Sequence, residues 1–150
     1  MFDPTPYFGT LQRTLASCHA WTLTEGPTLE VELNQHTRHW EIIVWRVEVT
    51  FPSGNKLVAL ESHEKQKGKH YRKVVYCYMK EDGELIFRVD PHQHAVPIEE
   101  PPHLHIGPTQ DYRLEDGAWE LDGYSLRDFD FLKMWALVLN YETDGTVPWR

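Results

Sequence analysis

Apolar and polar positions alternate along much of the N-terminal half of the chain. Leu29, Val31 and Leu33 alternate with Thr28, Glu30, Glu32 and Asn34, the period of a half-buried strand. From Trp40 to Phe51 a longer strand follows, with Ile43, Trp45, Val47, Val49 and Phe51 on one apolar face. On its other face Trp40, Ile42 and Val44 give way to Arg46 and Glu48. Further strands are predicted at Lys56–Ser62, Tyr71–Met79 and Leu85–Asp90, rich in β-branched and aromatic residues. Pro52-Ser53-Gly54-Asn55 and Glu81-Asp82-Gly83-Glu84 between them are turn sequences. Strands joined by such short turns imply an antiparallel meander.

Helical spacing occurs at both ends. Tyr7, Leu11, Leu15 and Cys18 recur every three or four residues, with Pro6 suited to a first turn, and Gly26-Pro27 then breaks the chain. A second helix, about residues 126–141, is predicted to start at Ser125. Its apolar stripe is Leu126, Phe129, Leu132, Ala136 and Leu139, widened by Trp135. The expected fold is α+β: a meander of four to six strands with the N- and C-terminal helices packed on one face. Residues 91–108 hold prolines at 91, 97, 101, 102 and 108 and read as a surface loop across one end of the sheet. Asp111–Leu114 and Ala118–Leu121 suggest a small hairpin, and residues 143–150 a frayed tail.

Composition narrows the class. With 150 residues the chain has the length of a single domain, 1–150. Six Trp, seven Tyr and six Phe exclude a disordered chain. Cys18 and Cys77 are too few for a disulfide framework and read as small core residues. No apolar run is long enough for a membrane span and no signal-peptide pattern opens the chain, so a cytoplasmic protein with no membrane partner is expected.

The net charge of -8 argues against nucleic-acid binding through overall charge. Charge is uneven, however. Residues 56–88 carry eight Lys plus Arg against five Asp plus Glu, +3, which leaves -11 for the remainder. The basic density peaks around Lys65, Lys67, Lys69, Arg72 and Lys73, read as a solvated loop or a local positive surface for an anionic substrate.

The densest chemistry is Arg88, Asp90, His92, His94, His103 and His105, where a strand leaves the sheet for the proline-stiffened loop. Three readings stand open. Imidazoles suit acid–base work, with Arg88 on a developing anion. Imidazoles with a carboxylate also suit a divalent metal, although structural zinc usually takes cysteine ligands and neither cysteine lies nearby. The third reading is a solvated polar loop. Glu61 shares a strand face with Leu57 and Ala59, so its carboxylate turns inward, as a general base or as an internal salt bridge, with Arg88 the expected partner. Tyr76 and Tyr78 share a strand face with Arg72, either as packing residues or as a platform for bases.

An ordered series of segments resembles the TumE family, the small toxins of two-gene toxin–antitoxin modules. The series is Gly54–Leu60, Glu61, Tyr71–Tyr78, then Leu85-Ile86-Phe87-Arg88-Val89-Asp90, Pro91-His92, and Pro102-His103-Leu104-His105, about residues 40–108. Here Pro91 follows Asp90 directly where the family usually has Asn, and residues 111–124 look like an addition before the last helix. The resemblance carries over Glu61, Tyr76, Tyr78, Arg88, Asp90, His92, His103 and His105. It implies a helix-turn-helix antitoxin as partner. By analogy with small toxins that cleave RNA, it implies a metal-independent ribonuclease without cofactor. His92, His103, His105, Arg88, Asp90 and Glu61 would be its catalytic group. Lys65, Lys67, Lys69, Arg72, Tyr76 and Tyr78 would contact the substrate. The alternative is a non-catalytic interaction or metal-binding domain that uses the histidine-rich loop 91–108.

Overall fold

A computed structural model describes residues 3–17, 23–90, 96–97, 103–107, 111–113 and 129–147. In chain order the elements are helix α1 (Pro4–Ser17), strands β1 (Leu23–Leu33), β2 (Trp40–Thr50), β3 (Lys56–Gln66), β4 (Lys69–Met79), β5 (Leu85–Asp90), β6 (Val96–Pro97), β7 (His103–Ile106) and β8 (Asp111–Arg113), and helix α2 (Phe131–Asp144). The sheet runs β1-β2-β3-β4-β5-β7-β8, with β6 paired to β4, and every pairing is antiparallel. This is the α+β meander that the alternating pattern predicts.

The period-two pattern decides which face is buried. Ile43, Trp45, Val47 and Val49 of β2 lie beside Leu57, Ala59, Glu61 and His63 of β3, and Val74, Tyr76 and Tyr78 of β4 continue the same buried face. Both helices cover it. Phe8 of α1 and Phe131 of α2 each meet the Trp45 ring, with centroids 6.3 and 4.9 Å away. Glu142 near the end of α2 accepts hydrogen bonds from Tyr78, Asn55 (2.8 Å) and Ser53 (2.5 Å), which fastens the helix to the β2–β3 turn.

Several local expectations change. β1 runs through Gly26-Pro27 instead of stopping there. Its register slips between Glu25 and Thr28, and an edge strand tolerates such a proline. The lysine-rich segment is mostly strand: β3 reaches Gln66 and β4 starts at Lys69, so the turn is Lys67-Gly68 alone. Both residues have positive φ, 50° and 78°, the geometry whose twist matches a two-residue hairpin. Its strands hid because polar residues occupy both faces near the tip.

The proline-rich loop also contains a strand. Residues 103–106 are free of proline, and β7 lies between β5 and β8 with Leu104 and Ile106 buried. Chain packing is close at its end, where a Cβ on Gly107 would lie 1.7 Å from the Leu85 carbonyl oxygen. β8 begins where a small hairpin was expected but pairs with β7; residues 114–121 lie outside the described set.

α2 starts at Phe131, later than expected, because Asp130 is its N-cap and accepts from the Lys133 N–H at 3.0 Å. Its buried residues are Phe131, Met134, Trp135, Leu137 and Val138; of the predicted stripe, Trp135 is buried, Phe129 is buried just ahead of the helix, and Leu132 and Leu139 pack partly buried against the core. Ser125 and Leu126 are outside the described residues. The helix also extends to Asp144, into the segment read as a tail. Cys77 is half-buried on the sheet face away from the helices rather than in the core, and Cys18 is outside the described residues. Among the described residues no helix is long and apolar enough to cross a membrane.

Candidate functional site

The alternation of β3 that buries Leu57 and Ala59 carries two polar residues into the same interior row, Glu61 and His63. Glu61 is 0% exposed and His63 2%. A buried carboxylate needs donors, and the fold supplies them from three elements. Tyr7 of α1 donates to Oε1 at 2.9 Å. Tyr76 of β4 donates to the same oxygen, and the Arg72 guanidinium lies 3.4 Å from it. His63 Nε2 is 2.8 Å from Oε2. Arg72 also donates to the Phe129 carbonyl at 2.6 Å, which ties the group to the chain entering α2.

The network continues outward. His63 Nδ1 lies 2.7 Å from Nε2 of His70, which is half-buried near the β3–β4 turn. Glu61, His63 and His70 thus form a line from the interior toward the surface. The Trp40 ring lies edge-on to His70 at 5.4 Å, and the Lys65 ammonium sits 4.2 Å above Trp40. Lys67 and Lys69 are exposed at the hairpin tip.

Electrostatics follow from this geometry. Burial alone would push the Glu61 carboxyl up. The His63 hydrogen bond, the Arg72 and His63 charges and the Tyr76 hydroxyl outweigh it and hold the pKa at about 2. His70 is pushed down to about 4, first by burial and then by the positive charge of His63, Lys65 and Arg72. Near neutral pH the carboxylate is therefore ionised and the outer ring is neutral. Burial and the Glu61 charge raise the Tyr7 and Tyr76 hydroxyls.

Both depressed values have one sign for stability. Stability from His70 is complete above its ordinary value of 6.5 and is lost as pH falls through about 4. Stability from Glu61 is complete above 4.5 and is lost as pH falls through about 2. Thermal melting is expected to fall in two overlapping steps on acidification. His70→Gln should remove the upper step and leave the lower one. Melting curves of both proteins from about pH 7 to about pH 3 check this. A wild-type melting temperature that stays level down to about pH 4 would contradict it.

The sheet divides the residues singled out from sequence. Glu61, Arg72, Tyr76 and Tyr78 lie on the helix-covered face. Arg88 pairs with Cys77 and His105 in the ladder, on the opposite face. Arg88 is thus not the partner of Glu61; the sheet lies between them and Arg72 takes that place. The β5–β7 register sets Arg88 against His105 and Asp90 against His103. His92 and His94 lie outside the described residues. Tyr76 and Tyr78 are fully buried, with hydroxyls committed to Glu61 and Glu142, so neither ring has a face open to a base. Among the described residues no three His, Cys, Asp or Glu side chains are grouped to hold a metal ion.

His63 and His70 escaped the sequence reading. His63 was legible as the next inward position after Glu61. His70 required the hairpin register, which sets it opposite Lys65 and brings it round to His63.

No curated protein and no solved structure matches the chain. The sequence pattern of the family described as Toxin TumE matches residues 28–124, a span wider than 40–108 at both ends that takes in residues 111–124. It includes Glu61, His63, His70, Arg72 and Tyr76, together with Arg88, Asp90, His92, His103 and His105. The ordered motifs and this match over well over half of the chain agree, and the chain belongs to the TumE toxin family.

Proposed function

We infer that this protein is the growth-inhibiting partner of a toxin–antitoxin pair, held in check by a helix-turn-helix antitoxin, and that it cleaves RNA without a metal ion. The observation that supports the chemistry is the line Glu61–His63–His70 ending beside cationic Lys65, Lys67 and Lys69. RNA brings its own nucleophile, the 2′-hydroxyl. The lysines draw the phosphate to the hairpin. His70, neutral near pH 7, takes the 2′-hydroxyl proton as oxygen attacks phosphorus. Ionised Glu61, reached through the His63 ring, offsets the added positive charge from the interior. The 5′-oxygen leaves with a proton returned by the same pair of rings, and a 2′,3′-cyclic phosphate remains.

A second reading places the proton transfers at Arg88, Asp90, His92, His103 and His105, of which Arg88 and His105 lie on the other face of the sheet. The β5–β7 register, which aligns Arg88 with His105 and Asp90 with His103, favours it. One experiment separates the two. Wild type, His70→Ala and His105→Ala are expressed from a tight promoter, growth is scored, and the purified proteins are incubated with RNA in EDTA. The first reading expects His70→Ala to lose about 100- to 10,000-fold in cleavage rate, with His105→Ala unaffected and cleavage indifferent to the chelator. The reverse pattern transfers the site to the β5–β7 face. A wild-type protein that neither slows growth nor cuts RNA supports a non-catalytic interaction domain instead.

A further inference from the structure

The outer edge of the sheet carries a feature that RNA chemistry does not use. Among the described residues β1 pairs only with β2, so every second residue of β1 turns its N–H and C=O away from the sheet. Beyond the slip at Pro27, the stretch from Thr28 to Glu32 keeps unbroken register with β2. Its two faces differ sharply. Leu29, Val31 and Leu33 are 41%, 48% and 40% exposed. They line a groove of about 590 Å³ together with Phe8 and Gly9 of α1 and Ile43 of β2, with Arg38 and His39 of the β1–β2 turn at its margin. Glu30 and Glu32 alternate with them, exposed on the other side, and residues 28–33 contain no basic side chain.

Edge strands are usually protected by lysine, proline or an inward-pointing charge. Here the proline protects only the first part of β1, and the apolar row that follows opens into a cavity. We propose that this edge is a docking site for an extended, basic-and-apolar segment of a partner protein, which adds to β1 as a further antiparallel strand. Its apolar residues enter the groove beside Leu29, Val31 and Leu33. Its lysines or arginines, at the alternate positions, face Glu30 and Glu32 across the new ladder. Charge favours this occupant over a second copy of the chain. Two-fold pairing centred on Glu30 sets Glu30 against its own copy, and centring on Val31 sets Glu30 against Glu32. The proposal stands independently of the ribonuclease reading.

The test uses an acetylated, amidated heptapeptide of alternating lysine and valine, titrated into the isotope-labelled full chain and followed by amide NMR. Saturable shifts confined to residues 28–33 and the first turns of α1 are expected. The exposed double variant Glu30→Lys/Glu32→Lys should bind about tenfold more weakly, because two cross-strand attractions become repulsions. Its melting temperature should match wild type. A peptide with glutamate in place of lysine should not bind. Absence of saturable binding, shifts centred on another surface, or equal binding of the glutamate peptide would overturn the proposal. So would a dimer in sedimentation that Val31→Lys dissolves while the lysine peptide fails to bind, since the edge would then belong to a second copy.

Discussion

Glu61→Ala is expected to destabilise the protein by about 3–5 kcal/mol, the usual consequence of removing one partner from a buried ion pair. The carboxylate is wholly enclosed, and its two oxygens satisfy Tyr7, Tyr76, Arg72 and His63 together. Without it, the Arg72 guanidinium loses its counter-charge and two hydroxyls lose their acceptor. Glu61→Gln keeps the shape and one acceptor oxygen but removes the charge, so a smaller loss is expected. In Glu61→Ala/Arg72→Ala the orphaned cation is gone too, and the combined loss should be clearly less than the sum of the single losses. Urea unfolding of these three variants and of Arg72→Ala measures all of this. A Glu61→Ala loss below about 1 kcal/mol would mean that the carboxylate is not the centre of a buried network.

Trp45→Ala should be comparably damaging, at about 3–5 kcal/mol. The Trp45 ring is 0% exposed and lies between Phe8 of α1 and Phe131 of α2. Its loss leaves a cavity at the point where both helices rest on the sheet. Because α1 also carries Tyr7 to Glu61, the damage should reach the polar network. Trp45→Phe is a sharper test. The buried indole N–H has no hydrogen-bond partner among the described residues, so removing it sacrifices volume but no bond. A loss below about 1.5 kcal/mol is expected for Phe. Equal losses for Phe and Ala would show that the indole nitrogen matters more than the filled volume. Denaturant unfolding followed by tryptophan fluorescence and circular dichroism distinguishes these outcomes.

The β2, β3 and β4 predictions succeeded because one face is buried, and burial of one face forces strict alternation over many residues. The turns at 52–55 and 81–84 were legible because their residue types favour those backbone conformations. Both close with backbone hydrogen bonds, Phe51 N–H to Asn55 O at 2.9 Å and Lys80 N–H to Glu84 O at 2.8 Å. The inward aim of Glu61 followed from the same parity rule. Where burial weakens, the signal weakens. Near the β3–β4 tip polar side chains occupy both faces, so strand looked like loop. β7 is only four residues long, and the prolines around it dominated the reading.

The meander, the two helices and the family are legible from residue order alone, since each rests on local periodicity or on residue types in a fixed order. Which residues form a site was decided only by the tertiary structure. Arg88 and Arg72 are equally good partners for Glu61 as residue types. Strand pairing turns Arg72 toward the carboxylate and sets Arg88 on the far side of the sheet. His63 and His70 come into contact because a two-residue turn fixes the register that brings them together. Tyr7 reaches Glu61 from a helix 54 residues away in sequence. Side-chain direction in a strand is a local property, but the neighbour it meets is set by pairing and packing between distant segments.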